Sequence, residues 1–392
     1  MINELKQIDK ASTVVAVLLF VSRHMGAMAF ADVVVETAWT PTESRVLYEV
    51  SPDEDVAQPC IVRMLDGTLV ALVQKKRGQS IFIRSQDGGE TWSDPYRSEL
   101  PGGVGGIGTL GVRRDGRLVA VLEKSTEVLH SPSVKRLTVK LPDGRECEKY
   151  AGYRYSSEMR LAHSSDQGRT WTLDSSVDYS PLVAAWVWVG GRILELDDGT
   201  LVVPLAGYLS EQDMSGIFLS SGVLRSTDEG ATWSWSIIGR GSQSDWLIFS
   251  EPAIAKLHNG TLVALMRVDD RVKKSIPGDP RGSRTGLHRS HSTDGGRTWS
   301  TPRECLAGTH CSVAQLADGV LLCGYHRAPR LALSADEGAH WYANMLWVTD
   351  KPRSNWGWYT SVEMVNETAA ICIIGEYPAK NIIRFCMLRR QP

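Results

Sequence analysis

The sequence predicts an all-β fold, a six-bladed β-propeller of four-stranded antiparallel blades, on three observations. One eight-residue turn pattern occurs five times, an Asp-Gly or Asn-Gly hairpin signal recurs in step with it, and no helical periodicity of any length runs through residues 32–392. The turn pattern is S-x-D-x-G-x-T-W, at residues 85–92, 164–171, 226–233, 292–299 and 334–341, the last with His340 in place of Thr. In such a turn the Asp carboxylate accepts bonds from nearby backbone N–H groups, the Gly supplies a positive φ, and the Trp packs back over the hairpin. These residues are read as structural, not catalytic. The abundance of Gly (36) and Trp (13) against only 6 Phe fits a repeated turn of this kind.

The second repeat supplies the inner hairpin of each unit. It occurs at Asp66-Gly67, Asp115-Gly116, Asp198-Gly199, Asn259-Gly260 and Asp318-Gly319, with a degenerate sixth copy at Asn366-Glu367, each followed by an apolar strand. Six units over residues 32–392 are about 60 residues each, which leaves room for two more strands after every hairpin. The segment from residue 129 to 155, rich in Lys, Arg, Glu and Gly, reads as an elongated hairpin or loop of the second blade.

Residues 1–31 read as a secretory signal: Lys6 and Lys10 precede an apolar run at 14–21, and Ala27, Ala29 and Ala31 supply small residues for cleavage. The propeller domain is therefore expected over 32–392, secreted or periplasmic, with no membrane segment beyond the signal, because no later run approaches the apolar length that spans a bilayer. Lys plus Arg number 43 against 45 for Asp plus Glu, and no long basic run is present, so nucleic acid is excluded as a partner. The seven cysteines form no C-x-x-C pair and no zinc spacing with His. Neither metal nor cofactor is expected, and no disulfide framework, although Cys305 and Cys311 are spaced to close a small loop.

In a propeller the innermost strands line the axis, so residues at their starts converge from all blades on one end. Counting nine residues back from each hairpin glycine or its equivalent gives Gln58, Ile107, Gly190, Glu251, His310 and Trp358, with Tyr359 one step further in. The second strands return to the same face carrying residues 74–77, Glu123 with Lys124, Arg267, His326 with Arg327, and Glu376. Taken singly, Glu251 reads equally as a solvated strand end, Tyr359 as a packing ring, and Arg267 or Arg327 as surface ion-pair formers. Their joint placement at equivalent ends of different blades favours a site.

The repeated turns and the blade pattern resemble the sialidase (neuraminidase) superfamily over nearly all of residues 32–392. Ser250-Glu251-Pro252, followed by residues 262–267 ending in Arg267, is similar to the segment bearing the glutamate that activates the nucleophile and an arginine of the carboxylate clamp. Trp358-Tyr359-Thr360-Ser361-Val362 resembles the segment bearing the nucleophilic tyrosine, and residues 373–377 the one whose glutamate, here Glu376, orients a clamp arginine. Arg327, seven residues before the fifth turn, matches another clamp arginine, with Arg330 as its rival. Two departures stand out: Ala57 occupies the place of the first clamp arginine, and residues 73–85 contain no carboxylate where the family carries its general acid. Lys75, Lys76 and Arg77 are alternative cations, and Asp55, Glu123 and His310 alternative proton donors.

The chemistry explains the residue types. A sialic acid carries a carboxylate on its anomeric carbon and repels an anionic nucleophile, which a neutral Tyr deprotonated by a neighbouring Glu avoids; arginines bind the carboxylate bidentately. The resemblance thus implies an exported exo-glycoside hydrolase that removes a terminal acidic sugar from a glycan, with Tyr359 and Glu251 catalytic and Arg267, Arg327, Glu376, His310 and Gln58 binding substrate. Two other readings are open. One is another propeller glycosidase or a polysaccharide lyase on uronic-acid glycans, using His310 or His326 with Tyr359. The other is a carbohydrate-binding propeller without catalysis, for which the missing Arg and Asp speak.

Overall fold

The structure, a computed structural model, describes residues 39–49, 56–75, 80–101, 106–130, 136–140, 146–150, 153–210, 212–213, 218–242, 244–270, 284–326, 330–347, 359–376 and 382–391. The signal segment expected over 1–31 lies outside them. The architecture is the expected six-bladed propeller of antiparallel sheets. The innermost strands are Val56–Arg63, Gly106–Val112, Val183–Val189, Leu247–Lys256, Thr309–Gln315 and Thr360–Asn366 in blades 1 to 6. In blade 2 the second strand runs on to His130 and the third begins at Tyr153, with the two-stranded hairpin Arg136–Lys140 and Glu146–Tyr150 between them, so the insertion is an elongated hairpin.

Both faces of the second strands are buried, as in Leu201–Tyr208 and Leu321–His326, which is why they read as near-continuous apolar runs. On the second strand of blade 2, Leu118, Ala120 and Leu122 pack with Val70, Leu72 and Phe82 of blade 1, while the alternate Val119 and Val121 pack with Val203 and Leu205 of blade 3. Similar clusters join blades 3 and 4, 4 and 5, 5 and 6, and 6 and 1. The ring closes by a device the hairpin count did not anticipate. Trp39–Pro41 and Arg45–Glu49 both pair with Ile382–Arg390, so the beginning of the domain supplies outer strands to the last blade.

Each S-x-D-x-G-x-T-W turn has one internal bonding scheme. In the first, Ser85 Oγ donates to Asp87 Oδ1 (2.8 Å) and accepts from Gly89 N (2.8 Å), and Thr91 donates to Asp87 from both N and Oγ1. The bonds from Thr91 and Ser85 hold the Asp87 carboxyl far below the usual carboxylate range. In the fifth turn His340 takes the part of Thr, its Nδ1 lying 2.6 Å from Asp336 Oδ2. Cys305 and Cys311 are free thiols, so the small loop they were spaced to close is not made. Cys60, Cys323, Cys372 and Cys386 are likewise free and buried in the sheets.

Candidate active site

One cavity lies where the innermost strands begin, and every blade contributes to its wall: Pro59 and Cys60, Gly108, Gly191 and Arg192, Glu251, His310, and Tyr359 with Thr360 and Ser361. Of the positions the count singles out, Glu251, His310 and Tyr359 line this wall, as do Gly108 and Gly191 next to the counted Ile107 and Gly190. The local cause is a shift in pairing register at the start of the inner strands, between Val56 and Pro59, Ile107 and Thr109, Ser250 and Ala253, and Thr309 and Ser312. A bulge re-aims one side chain. Gly191, Glu251 and His310 take positive φ there (59°, 53° and 50°), a conformation that strains the two residues bearing Cβ.

Glu251 is the hub. Its Oε1 receives His310 Nε2 at 2.9 Å and Arg267 Nη1 at 3.2 Å, and its Oε2 receives the His310 backbone N–H at 3.2 Å. Burial pushes this carboxyl up, but Arg267, His310 and these hydrogen bonds outweigh burial and hold it at about 2. The His310 ring meets the Tyr359 ring edge to face, 4.5 Å between centroids at 82°. Blades 4, 5 and 6 therefore bring Glu251, His310 and Tyr359 to one wall.

Arg267 is placed differently from the expectation. It stands behind Glu251, not on the cavity wall, and Asp269 takes the rest of its guanidinium, with Nη2 to Oδ2 at 3.0 Å and Nε to Oδ1 at 3.2 Å; Thr285 donates to the same Oδ1. Burial disfavours its charge, but the carboxylates of Glu251 and Asp269 more than offset this and strengthen its hold on the proton. With two carboxylates already matched, Arg267 is a positioning residue for Glu251, which corrects its reading as a substrate ligand. Arg327 and Trp358 lie outside the described residues, as do the side chains of Gln58 and Glu376, whose backbones belong to the first strand of blade 1 and the second strand of blade 6.

Sequence reasoning missed Arg192, the cation on the described wall. It reaches across the axis from blade 3, paired with Glu363 of blade 6 and donating from Nη2 to Val313 O of blade 5 (3.3 Å). Burial pushes the Glu363 carboxyl up, and Arg192 opposes this. The signal was Gly190-Gly191 immediately before it, two glycines at the counted position, which lies in the break between Val183–Val189 and the short strand Leu194–Glu195. Below the mouth, Ser312 and Thr360 hydroxyls lie 3.1 Å apart and Ser361 Oγ accepts from Ile61 N at 3.0 Å, tying blades 5, 6 and 1 together.

No family model matches the chain. A sialidase of Bacteroides fragilis (strain YCH46) is 22% identical over 346 residues, 79% of this chain; the chain spans 58% of that protein's length. The chain is similar to sialidases. Among solved structures, the intramolecular trans-sialidase of Ruminococcus gnavus shares the fold with a TM-score of 0.59 over 89% of this chain and 99% of that one, at 14% identity. The Penicillium chrysogenum α-L-arabinanase, complexed with arabinobiose, shares it with a TM-score of 0.63 over 89% and 98%, at 13% identity.

Proposed function

We propose that this protein is a glycoside hydrolase that cleaves a terminal acidic sugar held in the axial cavity, with Tyr359 as nucleophile and Glu251, together with His310, as the groups that take its proton. The observation that carries this reading is the convergence of these three side chains from consecutive blades, two of them in strained backbone conformations of the kind that cluster at functional sites. An imidazole held by an ionised carboxylate and set against a phenol ring is suited to taking the proton of a neutral oxygen nucleophile. The likeness to a sialidase supports an acidic sugar. The arabinanase likeness makes a neutral pentose the competing class. The signal-like residues 1–31 fit an exported enzyme that meets glycans outside the cell.

The test is a panel of arylated glycosides of sialic acid, uronic acids, rhamnose and arabinofuranose, with uronate polysaccharides followed by ultraviolet absorbance. Turnover on an acidic glycoside is expected, and Tyr359→Phe should lower kcat by about a thousandfold or more with ligand binding retained, since only the reacting oxygen is removed. Unchanged turnover in Tyr359→Phe sinks the nucleophile assignment. Turnover confined to arabinosides overturns the acidic substrate, and rising absorbance with uronate polymers replaces hydrolysis by elimination.

A further inference from the structure

The axial cavity ends at a bond that crosses it. Arg192 belongs to blade 3 and Glu363 to blade 6, and in a ring of six these blades stand opposite, so their ion pair spans the axis. Its depth follows from the strands that line the wall. Blade 5 contributes His310, Cys311, Ser312 and Val313 in turn, and the last of them offers its carbonyl to Arg192 Nη2 at 3.3 Å. Blade 6 contributes Tyr359, Thr360 and Ser361, and Glu363 follows two residues further from the mouth. The guanidinium therefore lies three residues of strand, roughly 10 Å, below His310. The wall between is mostly apolar, made by Cys60, Ala253, Ile254 and Val313.

The backbone of blade 3 is built for this reach. Its inner strand stops at Val189 and resumes only at Leu194–Glu195. In the break Gly191 takes a φ of 59°, and a Cβ on it would lie 3.1 Å from Ala253 Cα and 3.2 Å from Pro252 O, so a side chain there would be crowded as well as strained. Blade 2 holds both flanks of Arg192: Thr109 Oγ1 donates to Gly191 O at 2.6 Å, and Ile193 N donates to Leu110 O at 2.9 Å. At the far end Glu363 Oε1 accepts from Met364 N at 2.9 Å, and the Arg63 backbone N–H of blade 1 bonds to the same carboxyl. Both charged side chains are only 16% exposed. A guanidinium with its charge matched and its chain fixed at both ends is a poor ligand for an incoming anion and a firm obstacle.

We propose that Arg192, locked to Glu363, is the floor of the cavity: it closes the channel between the blades and limits how far a ligand can enter from the mouth. The floor is a matter of geometry and is observable without any substrate. Its second consequence rests on the proposed function. The substituent of the terminal sugar that points down the axis has roughly 10 Å of mostly apolar wall before it meets the guanidinium. Arg192 is thus a specificity-determining residue that sets the length of that substituent.

Cys60 reports on the floor. Its thiol is on the cavity wall near Arg192, in a residue 8% exposed, whereas Cys323, Cys372 and Cys386 are fully buried in the sheets and do not line the cavity. The experiment is labelling of the full chain with N-ethylmaleimide, resolved by peptide mass spectrometry. Wild type is compared with Arg192→Ala/Glu363→Gln, which removes the floor without leaving Glu363 charged and unpaired, and with Arg192→Met/Glu363→Gln, which fills the axis without an ion pair. Cys60 should label about tenfold faster or more in the alanine variant and close to the wild-type rate in the methionine variant, with Cys323, Cys372 and Cys386 protected in both. Burial pushes the Cys60 thiol up to about 11 and the charge of Arg192 opposes this, so losing the arginine would by itself slow labelling, and a faster rate reports access. An unchanged Cys60 rate in the alanine variant, an equal rise in the methionine variant, or an equal rise at the three sheet thiols overturns the floor. So does an experimental structure of the wild type with a continuous water-filled channel past Arg192, whether or not the variants fold. With an active glycoside in hand, KM should climb with the length of an acyl group placed at each position of the terminal sugar in turn, for at least one position, and this climb should flatten in Arg192→Ala/Glu363→Gln. The same climb in both proteins removes the specificity role and leaves the floor standing. Inactivity on every glycoside defeats the proposed function without touching the labelling result, so the two readings fail separately.

Discussion

Glu251 and His310 sit at positive φ although neither is glycine, and each such placement costs on the order of 1–3 kcal/mol that the rest of the fold has to supply. Glu251→Gly should therefore be more stable than Glu251→Ala by about 1 kcal/mol, the reverse of the usual order, as read from urea unfolding. The charge state gives a second test. The Glu251 carboxyl is held at about 2, below its ordinary 4.5, so its contribution is fully present above about pH 4.5 and is lost as pH falls through about 2; the shift corresponds to roughly 3 kcal/mol. Glu251→Gln should lack that share of the acid-side loss of stability between pH 5 and 2, and an unaltered acid limb would mean that Arg267 does not hold the carboxylate in solution. Counting back from turn glycines made Glu251, His310 and Tyr359 legible in the sequence, because blade geometry repeats. The positive φ at Glu251 and His310 was not, since neither residue type advertises it. The pairing of Arg267 with Asp269 was available in principle: residues two apart on a strand share a face, and a carboxylate there competes with any substrate for the guanidinium.

At the scale of the elements, the repeated turns join blades as well as closing hairpins. The turn of each blade packs on the blade before it: a Cβ built on Gly168 would lie 2.8 Å from the Phe82 ring, and one on Gly230 would lie 2.4 Å from Leu161. Arginines reach the other way, Arg225 Nε donating to Gly295 O and Arg289 Nε to Glu337 O, both at 2.7 Å. Hence Gly168→Ala, which also has to adopt a φ of 91°, should lower the melting temperature clearly while leaving the chemistry of the cavity intact, and a loss of turnover without loss of stability would contradict this. His340 offers the milder comparison. Its ring replaces the Thr hydroxyl on Asp336, so His340→Thr should stay within about 0.5 kcal/mol of the parent, whereas His340→Ala should cost about 1 kcal/mol for the missing bond. The Ser, Asp, Gly and Trp of the pattern were legible because they act locally. Their packing on the neighbouring blade was not, because it depends on residues some 70–90 positions away, such as Phe82 beneath Gly168.

At the scale of the whole molecule, six blades held to one another in a ring leave no sheet edge between the first and the last only if the ring is fastened, and here the fastening strand comes from the start of the domain. Trp39 is fully buried among Leu331, Leu333, Cys386 and Leu388, and its indole Nε1 donates to Asp318 Oδ2 at 2.9 Å, an oxygen that also faces Arg390 Nε at 3.5 Å. Asp318 belongs to the hairpin turn of blade 5, so one side chain of the first strand ties blade 6 to its neighbour. Deriving six units from the hairpin repeat was sound, but the repeat is silent about how its ends meet, since the closing strand carries no turn motif of its own. Trp39→Ala should cost about 3–5 kcal/mol, the range for deleting a large buried aromatic side chain, whereas Trp39→Phe, which keeps most of the packing and loses the indole bond, should cost less than half as much. Because Glu363 and Tyr359 flank the axis from blade 6 while Glu251 and His310 come from blades 4 and 5, loosening the closure should also disorder the cavity before the chain unfolds. The measurement is hydrogen exchange in Trp39→Ala: amides of Thr360–Asn366 should lose protection well ahead of those of Leu201–Tyr208 in blade 3, and uniform loss of protection around the ring would show that the blades open together and that the first strand is no special fastening.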